Sequence, residues 1–223
     1  KNLCNNQGVI AADVAGVGTA RDRLKGVKYG STGQALFAFG QTSTFVNMKN
    51  LVTNLGVVGT DVTGVGTARY AMGAAKYGTD TAVMAYGQVS AGNVSIKNLI
   101  NNEGVVAADV TGVGQARQSL AASEYGGDKV AFAYGSESSA GNVSIKNLCS
   151  NTGVISADVT GVGTARQSLA ASEYGGDKAA FAYGGSNVSL KNLCSNTGVI
   201  SADVTGVGTG RNLLAAAGYS QSA

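Results

Sequence analysis

Five aspartates and five arginines recur at one spacing, and they are the residues best placed to do chemistry in this chain. Asp13, Asp61, Asp109, Asp158 and Asp203 are followed eight residues later by Arg21, Arg69, Arg117, Arg166 and Arg211. Gathered at one axis, such charges could hold an ion or a sugar. With one acid for each base, the simpler expectation is a structural ring of charge-assisted hydrogen bonds joining neighbouring units. Other chemistry is thinly represented. The chain has no histidine, so Ser–His and Cys–His nucleophiles and His-based metal sites are excluded. Cys4, Cys149 and Cys194 occupy one repeated position, where Val52 and Ile100 stand in the other copies. A position that accepts Val, Ile and Cys reads as packed and apolar, with the thiols acting as small hydrophobes. Neither a catalytic constellation nor a cofactor or metal site is marked. An enzymatic alternative would have to use acids such as Asp128 or Asp177 in an axial funnel.

The elements that must position these residues repeat as well. The phrase K-N-L-x-x-N-x-G-V-x-x-x-D-V-x-G-V-G-x-x-R begins at Lys1, Lys49, Lys97, Lys146 and Lys191. It ends 20 residues later each time, at the five arginines. A second phrase lies between the copies, clearest as L-A-A-S-E-Y-G-G-D-K-A-A-F-A-Y-G over residues 169–184. A fixed period of this size signals a repeat architecture. Gly recurs 34 times, interrupting every stretch long enough for a helix.

The period from Gln167 to Arg211 predicts four strands, a to d. Strand a covers 168–172, and the turn Tyr174-Gly-Gly-Asp177 carries a two-residue hairpin signal. Strand b, Lys178 to Tyr183, is apolar on both sides and must be covered on both faces. Strand c covers 188–194, a turn follows at 195–198, and strand d covers 199–204. The lysines of the K-N-L phrase are expected on an exposed edge, where they discourage edge pairing.

Four short strands in about 48 residues are the signature of a β-propeller blade. The order resembles the kelch type: an Arg, a strand, a tight turn, and a strand ending in an aromatic–Gly pair. The kelch double Gly appears as Phe39-Gly40, Tyr86-Gly87, Tyr134-Gly135 and Tyr183-Gly184, and the usual Trp of the fourth strand is absent. The Y-G-x-D-K-A-x-F-x-Y-G and G-V-G-T-A-R phrases are similar to uncharacterised repeats of bacteriophage and large-virus proteins. That resemblance implies a virion or extracellular host-recognition setting, while the free cysteines fit a reducing compartment equally well.

The expectation is one all-β domain over 1–223, a five-bladed kelch-like propeller. Four blades cover 22–69, 70–117, 118–166 and 167–211. The fifth joins the c–d strands of 1–21 to an a strand within 212–223, which removes exposed edges but leaves that blade without a b strand. Length variation falls in the b–c loops, expected on the rim shared with the d–a connections. Gln41, Thr42, Gln88, Ser90, Ser136, Glu137 and Ser186 are the candidate binding residues there, because variable loops on a rigid scaffold carry recognition. The reading is a non-enzymatic structural or adhesive module for a glycan, a cell-surface receptor or virion proteins, with self-association through the unfinished blade as an alternative. A net charge of +3 without a basic stripe argues against nucleic acid. No apolar run approaches the ~18 residues of a membrane span. The Asn-Val-Ser sequons at Asn93, Asn142 and Asn187 descend from one repeated phrase and count once.

Overall fold

The computed structural model describes residues 1–5 and 7–218. It is all-β, and among the described residues no helix is long and apolar enough to cross a membrane. The first unit holds β1 (Lys25–Tyr29), β2 (Gln34–Ala38) and β3 (Lys49–Val52). The second holds β4 (Gly73–Tyr77), β5 (Thr81–Ala85), the short hairpin β6 (Gln88–Val89) and β7 (Gly92–Asn93), and β8 (Lys97–Ile100). The third holds β9 (Ala121–Tyr125), β10 (Lys129–Ala133), the hairpin β11 (Ser136–Glu137) and β12 (Gly141–Asn142), and β13 (Lys146–Cys149). The fourth holds β14 (Ala170–Tyr174), β15 (Lys178–Ala182), β16 (Leu190–Cys194) and β17 (Val204–Thr205).

Each unit is an antiparallel meander with strand b central. In the fourth, Tyr174 pairs with Lys178 across the predicted turn, and Phe181 pairs with Asn192 of strand c. Strand a begins two residues later than predicted. Strand d is reduced to an isolated bridge and the two-residue β17, because Ala202-Asp203 between them leaves the ladder: Cys194 pairs with Ile200, and Lys191 with Val204.

The units pack face to face. Tyr29, Leu36 and Phe39 of the first meet Met84, Ile100 and Val106 of the second. The next two junctions repeat this, ending with Tyr125 and Tyr134 against Phe181, Cys194 and Ile200. Cys149 and Cys194 are thus core residues, whereas Cys4 is exposed. Covering of strand b on both faces holds for β5 and β10, buried at four successive positions. The outer units differ. Phe37 of β2 is 40% exposed, and so is Tyr174 of β14.

The segment 1–21 forms a c–d pair, with Cys4 bridged to Ile10 and the Val14 amide donating to the Lys1 carbonyl at 2.9 Å. After the fourth unit, the Leu213 amide donates to the Ser168 carbonyl at 3.0 Å. Among the described residues, 212–218 form no strand, and the named strands pair in no fifth unit. Residues 219–223 of the predicted a segment lie outside the described residues.

Four of the five K-N-L lysines reach into a neighbouring unit instead of guarding an edge. The ammonium groups of Lys49, Lys97 and Lys146 each donate to the carbonyl of Gly104, Gly153 and Gly198 in the following unit at 2.7–2.8 Å. Lys1 does the same to Gly56 at 2.9 Å. Their aliphatic stems cross the junction, so these half-buried lysines tie units together.

Candidate functional site

Each arginine faces the aspartate of the next repeat copy rather than the one eight residues before it, which corrects the eight-residue pairing. Arg21 faces Asp61 at 3.6 Å, Arg69 faces Asp109 at 3.7 Å, Arg117 faces Asp158 at 4.0 Å and Arg166 faces Asp203 at 3.9 Å. Asp13 accepts a bond from Asn2, and Arg211 lies over the Tyr183 ring. No charged partner stands within 4.0 Å of either among the described residues.

Strand geometry explains the displacement. Each arginine enters a new unit and turns its side chain beneath that unit's b–c strands. Arg117 donates from Nε to the Tyr134 carbonyl at 2.9 Å and from Nη2 to Asn147 Oδ1 at 2.7 Å. Arg166 repeats this with Tyr183 and Asn192. The arginine side chains are 0–1% exposed in the three inner copies. Burial pulls Arg69 down to about 10 despite Asp109. Burial pushes the Asp109 carboxyl up, but donors from Thr67 and Asn98 outweigh it and hold it below the ordinary carboxylate range. The Asn of the K-N-L phrase, which the spacing argument overlooked, completes each clamp by bonding both Arg and Asp. In these four clamps each arginine is paired with an aspartate and an asparagine.

The candidate rim residues sit where b–c loops meet d–a connections. Gln41 pairs with Asp22, Gln88 with Tyr70, and Ser136 with Gln118. The two sets of loops therefore share a rim. Thr42 is tied to Thr44 within its loop, and Ser90 and Ser186 are exposed at loop tips. Glu137 is half-buried, with its Oε1 unpartnered. The structure brings these residues to one rim but into no single cluster. Asp128 and Asp177 stand in the a–b turns, each bound by the adjacent lysine and by Asn151 or Asn196.

A cavity missed by sequence reasoning opens among the d–a connections. It has a volume of about 640 Å³ and is lined by all four units and by Leu213 and Leu214. Around it runs a relay of backbone bonds between equivalent residues. Ala71 donates to Arg23 at 3.4 Å, Ser119 to Ala71 at 2.7 Å, Ser168 to Ser119 at 2.8 Å, and Leu213 to Ser168 at 3.0 Å. All five adopt positive φ, between 50° and 56°. A second relay joins the a–b turns, from Gly30 to Asp80, Gly78 to Asp128, and Gly126 to Asp177.

Between the relays, strand a presents Lys28, Lys76, Glu124 and Glu173 at one repeated position. Lys28 reaches Glu173 at 3.0 Å and Glu124 at 3.5 Å, joining the first unit to the third and fourth. Burial raises the Glu124 pKa although Lys28 and Lys76 oppose it. Only the first unit puts a lysine, Lys25, at the next position along the cavity wall, where Gly73, Ala121 and Ala170 stand elsewhere. Lining up the strand a copies could have found both sets, since the charge changes from two lysines to two glutamates along the units at one position. No protein-family model matches the chain, and no curated protein matches it.

Proposed function

We propose that this chain is a five-bladed, kelch-like β-propeller that serves as a non-enzymatic structural or adhesive module, of viral or phage origin, binding a glycan or cell-surface receptor through its b–c rim. The observation that carries this is the relay from Arg23 to Leu213. Five equivalent residues, in one backbone conformation, are linked in chain order around one cavity. Lys28 meeting Glu173 across the unit series supports the same closure. A ring of nearly equal blades presents several equivalent loops, and weak sites so arranged gain strength by multivalency.

The function is tested by glycan arrays and by proteomics of purified particles. Saturable glycan or cell-surface binding, lost when Gln88, Ser90, Ser136 and Glu137 are replaced by alanine, is the expected result. Absence of any such binding, together with absence from particles, would discard the adhesive reading. The enzymatic alternative needs an acid free to react in the cavity. Asp22 is the carboxylate lining it, and it already faces Arg23 at 3.7 Å.

A further inference from the structure

We propose that the cavity among the d–a connections binds an acidic sugar, whose carboxylate pairs with Lys25 and whose hydroxyls meet the side chains of Gln118, Ser119, Gln167 and Ser168. The site is additional to the b–c loops and does not depend on the adhesive reading above. Lys25 opens β1 opposite Ala38, as Gly73, Ala121 and Ala170 open their strands opposite Ala85, Ala133 and Ala182. The sibling units therefore form strand a with nothing longer than a methyl group at this position. The fold does not need a lysine there.

The charge on the cavity wall is uncompensated. The Lys25 ammonium has no ion pair or hydrogen bond among the described residues, and it is reachable from the cavity. Burial lowers its pKa, with no carboxylate opposing that shift. Desolvating an ammonium without a counter-charge is unfavourable, and a bound anion removes the penalty. The other two charges on the wall offset each other, since Arg23 faces Asp22 at 3.7 Å and lies over the Tyr70 ring at 5.0 Å. One net positive charge suits a single carboxylate. A phosphate dianion would exceed it and would be repelled by Asp22.

The polar side chains on the wall add the demand for hydroxyls. Gln118 and Gln167 hold one repeated position, and Ser119 and Ser168 hold the next. Their backbones are fixed: Gln118 pairs with Ser136, the Gln167 carbonyl accepts from Gly185, and both serines belong to the relay. Their side chains are half-buried and take part in no hydrogen bond among the described residues. Two amides and two hydroxyls can each donate and accept, as sugar hydroxyls require. Leu120 and Leu169, 1% and 5% exposed, give an apolar surface for the C–H face of a sugar ring. The volume of about 640 Å³ lies within the range of small-molecule sites, and a few placed polar groups on an apolar lining are their usual make-up.

The test is calorimetric titration of the full chain with sodium glucuronate, which should show one saturable site per chain. Glucose and acetate each carry half of the recognised chemistry and should bind at least tenfold more weakly. Lys25→Ala copies Ala121 and Ala170, so it should fold normally while weakening glucuronate at least tenfold. Lys25→Arg should keep most of the affinity. Ser119→Ala with Ser168→Ala should weaken glucuronate and leave acetate unchanged. Acylation of Lys25 by a succinimidyl ester, read by mass spectrometry, should slow at least tenfold in saturating glucuronate while the other lysines react as before. Absence of glucuronate binding overturns the inference, and so does binding that survives Lys25→Ala. Acetate binding as tightly as glucuronate, or phosphate binding more tightly, overturns the sugar acid as ligand. A chain that binds array glycans but not glucuronate loses this inference alone. One that binds glucuronate through Lys25 but no array glycan loses only the adhesive reading.

Discussion

The guanidinium of Arg117 lies 4.1 Å from the centroid of the Tyr86 ring, although the two residues belong to successive units. The same arginine bonds the Tyr134 carbonyl and Asn147 of its own unit and faces Asp158 of that unit. One buried side chain therefore fastens two units by stacking and orders the strands of the second by hydrogen bonds. The aromatic beneath it adopts positive φ, +66° at Tyr86, which is unfavourable for a bulky residue. That conformation turns the Tyr86 carbonyl to accept from Arg69 Nε at 3.0 Å, so the strain is tied to the clamp of its own unit.

Replacing Arg117 by alanine should therefore cost about 3–5 kcal/mol, through buried acceptors left unpaired and a vacated core volume. Arg21→Ala removes a side chain that stacks on no ring among the described residues and should cost roughly half as much. Urea unfolding of both variants measures the difference. Equal losses would mean that stacking between units contributes little.

Alkali should destabilise the fold before it disturbs the arginines. Burial pushes Cys149 and Cys194 up to about 11, and Tyr86 up to about 12. Groups with raised folded-state pKa keep protons that the unfolded chain releases. Their contribution is whole below the unfolded values of about 8.5 for Cys and 10 for Tyr, and it is lost as pH rises through the folded ones. Arg69, pulled down to about 10, acts in the opposite sense above that pH. Stability should fall by about 1–3 kcal/mol between pH 9 and 11. The variant Cys149→Val with Cys194→Val, which copies Val52, should flatten that slope. Chemical denaturation across pH reads both chains, and an unchanged slope would remove the thiols as its cause.

The lysine bridging the a strands makes a separate electrostatic prediction. Lys28 is 52% exposed, so its pairing with Glu124 and Glu173 is partly screened. Lys28→Glu should cost about 1–2 kcal/mol at pH 7, by placing three carboxylates together. The deficit should shrink towards pH 5, because like charges raise carboxyl pKa and protonation then relieves them. Adding Glu124→Lys should restore most of the loss. Melting temperatures at pH 5 and 7, in low and high salt, decide this; a deficit insensitive to both would point to packing instead.

What the sequence made legible follows the range over which each signal acts. The hairpin Tyr174-Gly-Gly-Asp177 and the apolar strand after it are local, and both appear where residue type placed them. The partner of Arg69 was not legible, because Asp61 lies close in sequence while Asp109 lies in the next repeat copy and is brought near only by the folding of that unit. The same holds for Lys97, whose ammonium spans to Gly153 instead of guarding an edge. Lys28, Glu124 and Glu173 escaped notice because no motif joins them; their meeting depends on how the a strands face one another. Strand d failed as a regular element because Ala202-Asp203 serves the clamp, not the ladder.

The glycine-rich phrase after each aspartate, which superficially resembles a nucleotide loop, has a packing explanation that gives the sharpest test. A Cβ on Gly161 would lie 1.2 Å from the Ser144 carbonyl oxygen, a backbone atom that cannot step aside. The d–a segment thus crosses directly over the end of the b–c loop, and only glycine permits that approach. Gly161→Ala should displace one of the two segments and cost at least about 3 kcal/mol. Gly127, in the a–b turn, has φ +78° but nothing within 4 Å of an added Cβ. Gly127→Ala should therefore cost only about 1 kcal/mol, the strain of the left-handed backbone. Thermal unfolding of the two variants ranks them. If both proved equally mild, the close crossing at Gly161 would not be maintained in solution, and the rim that it builds would be loose.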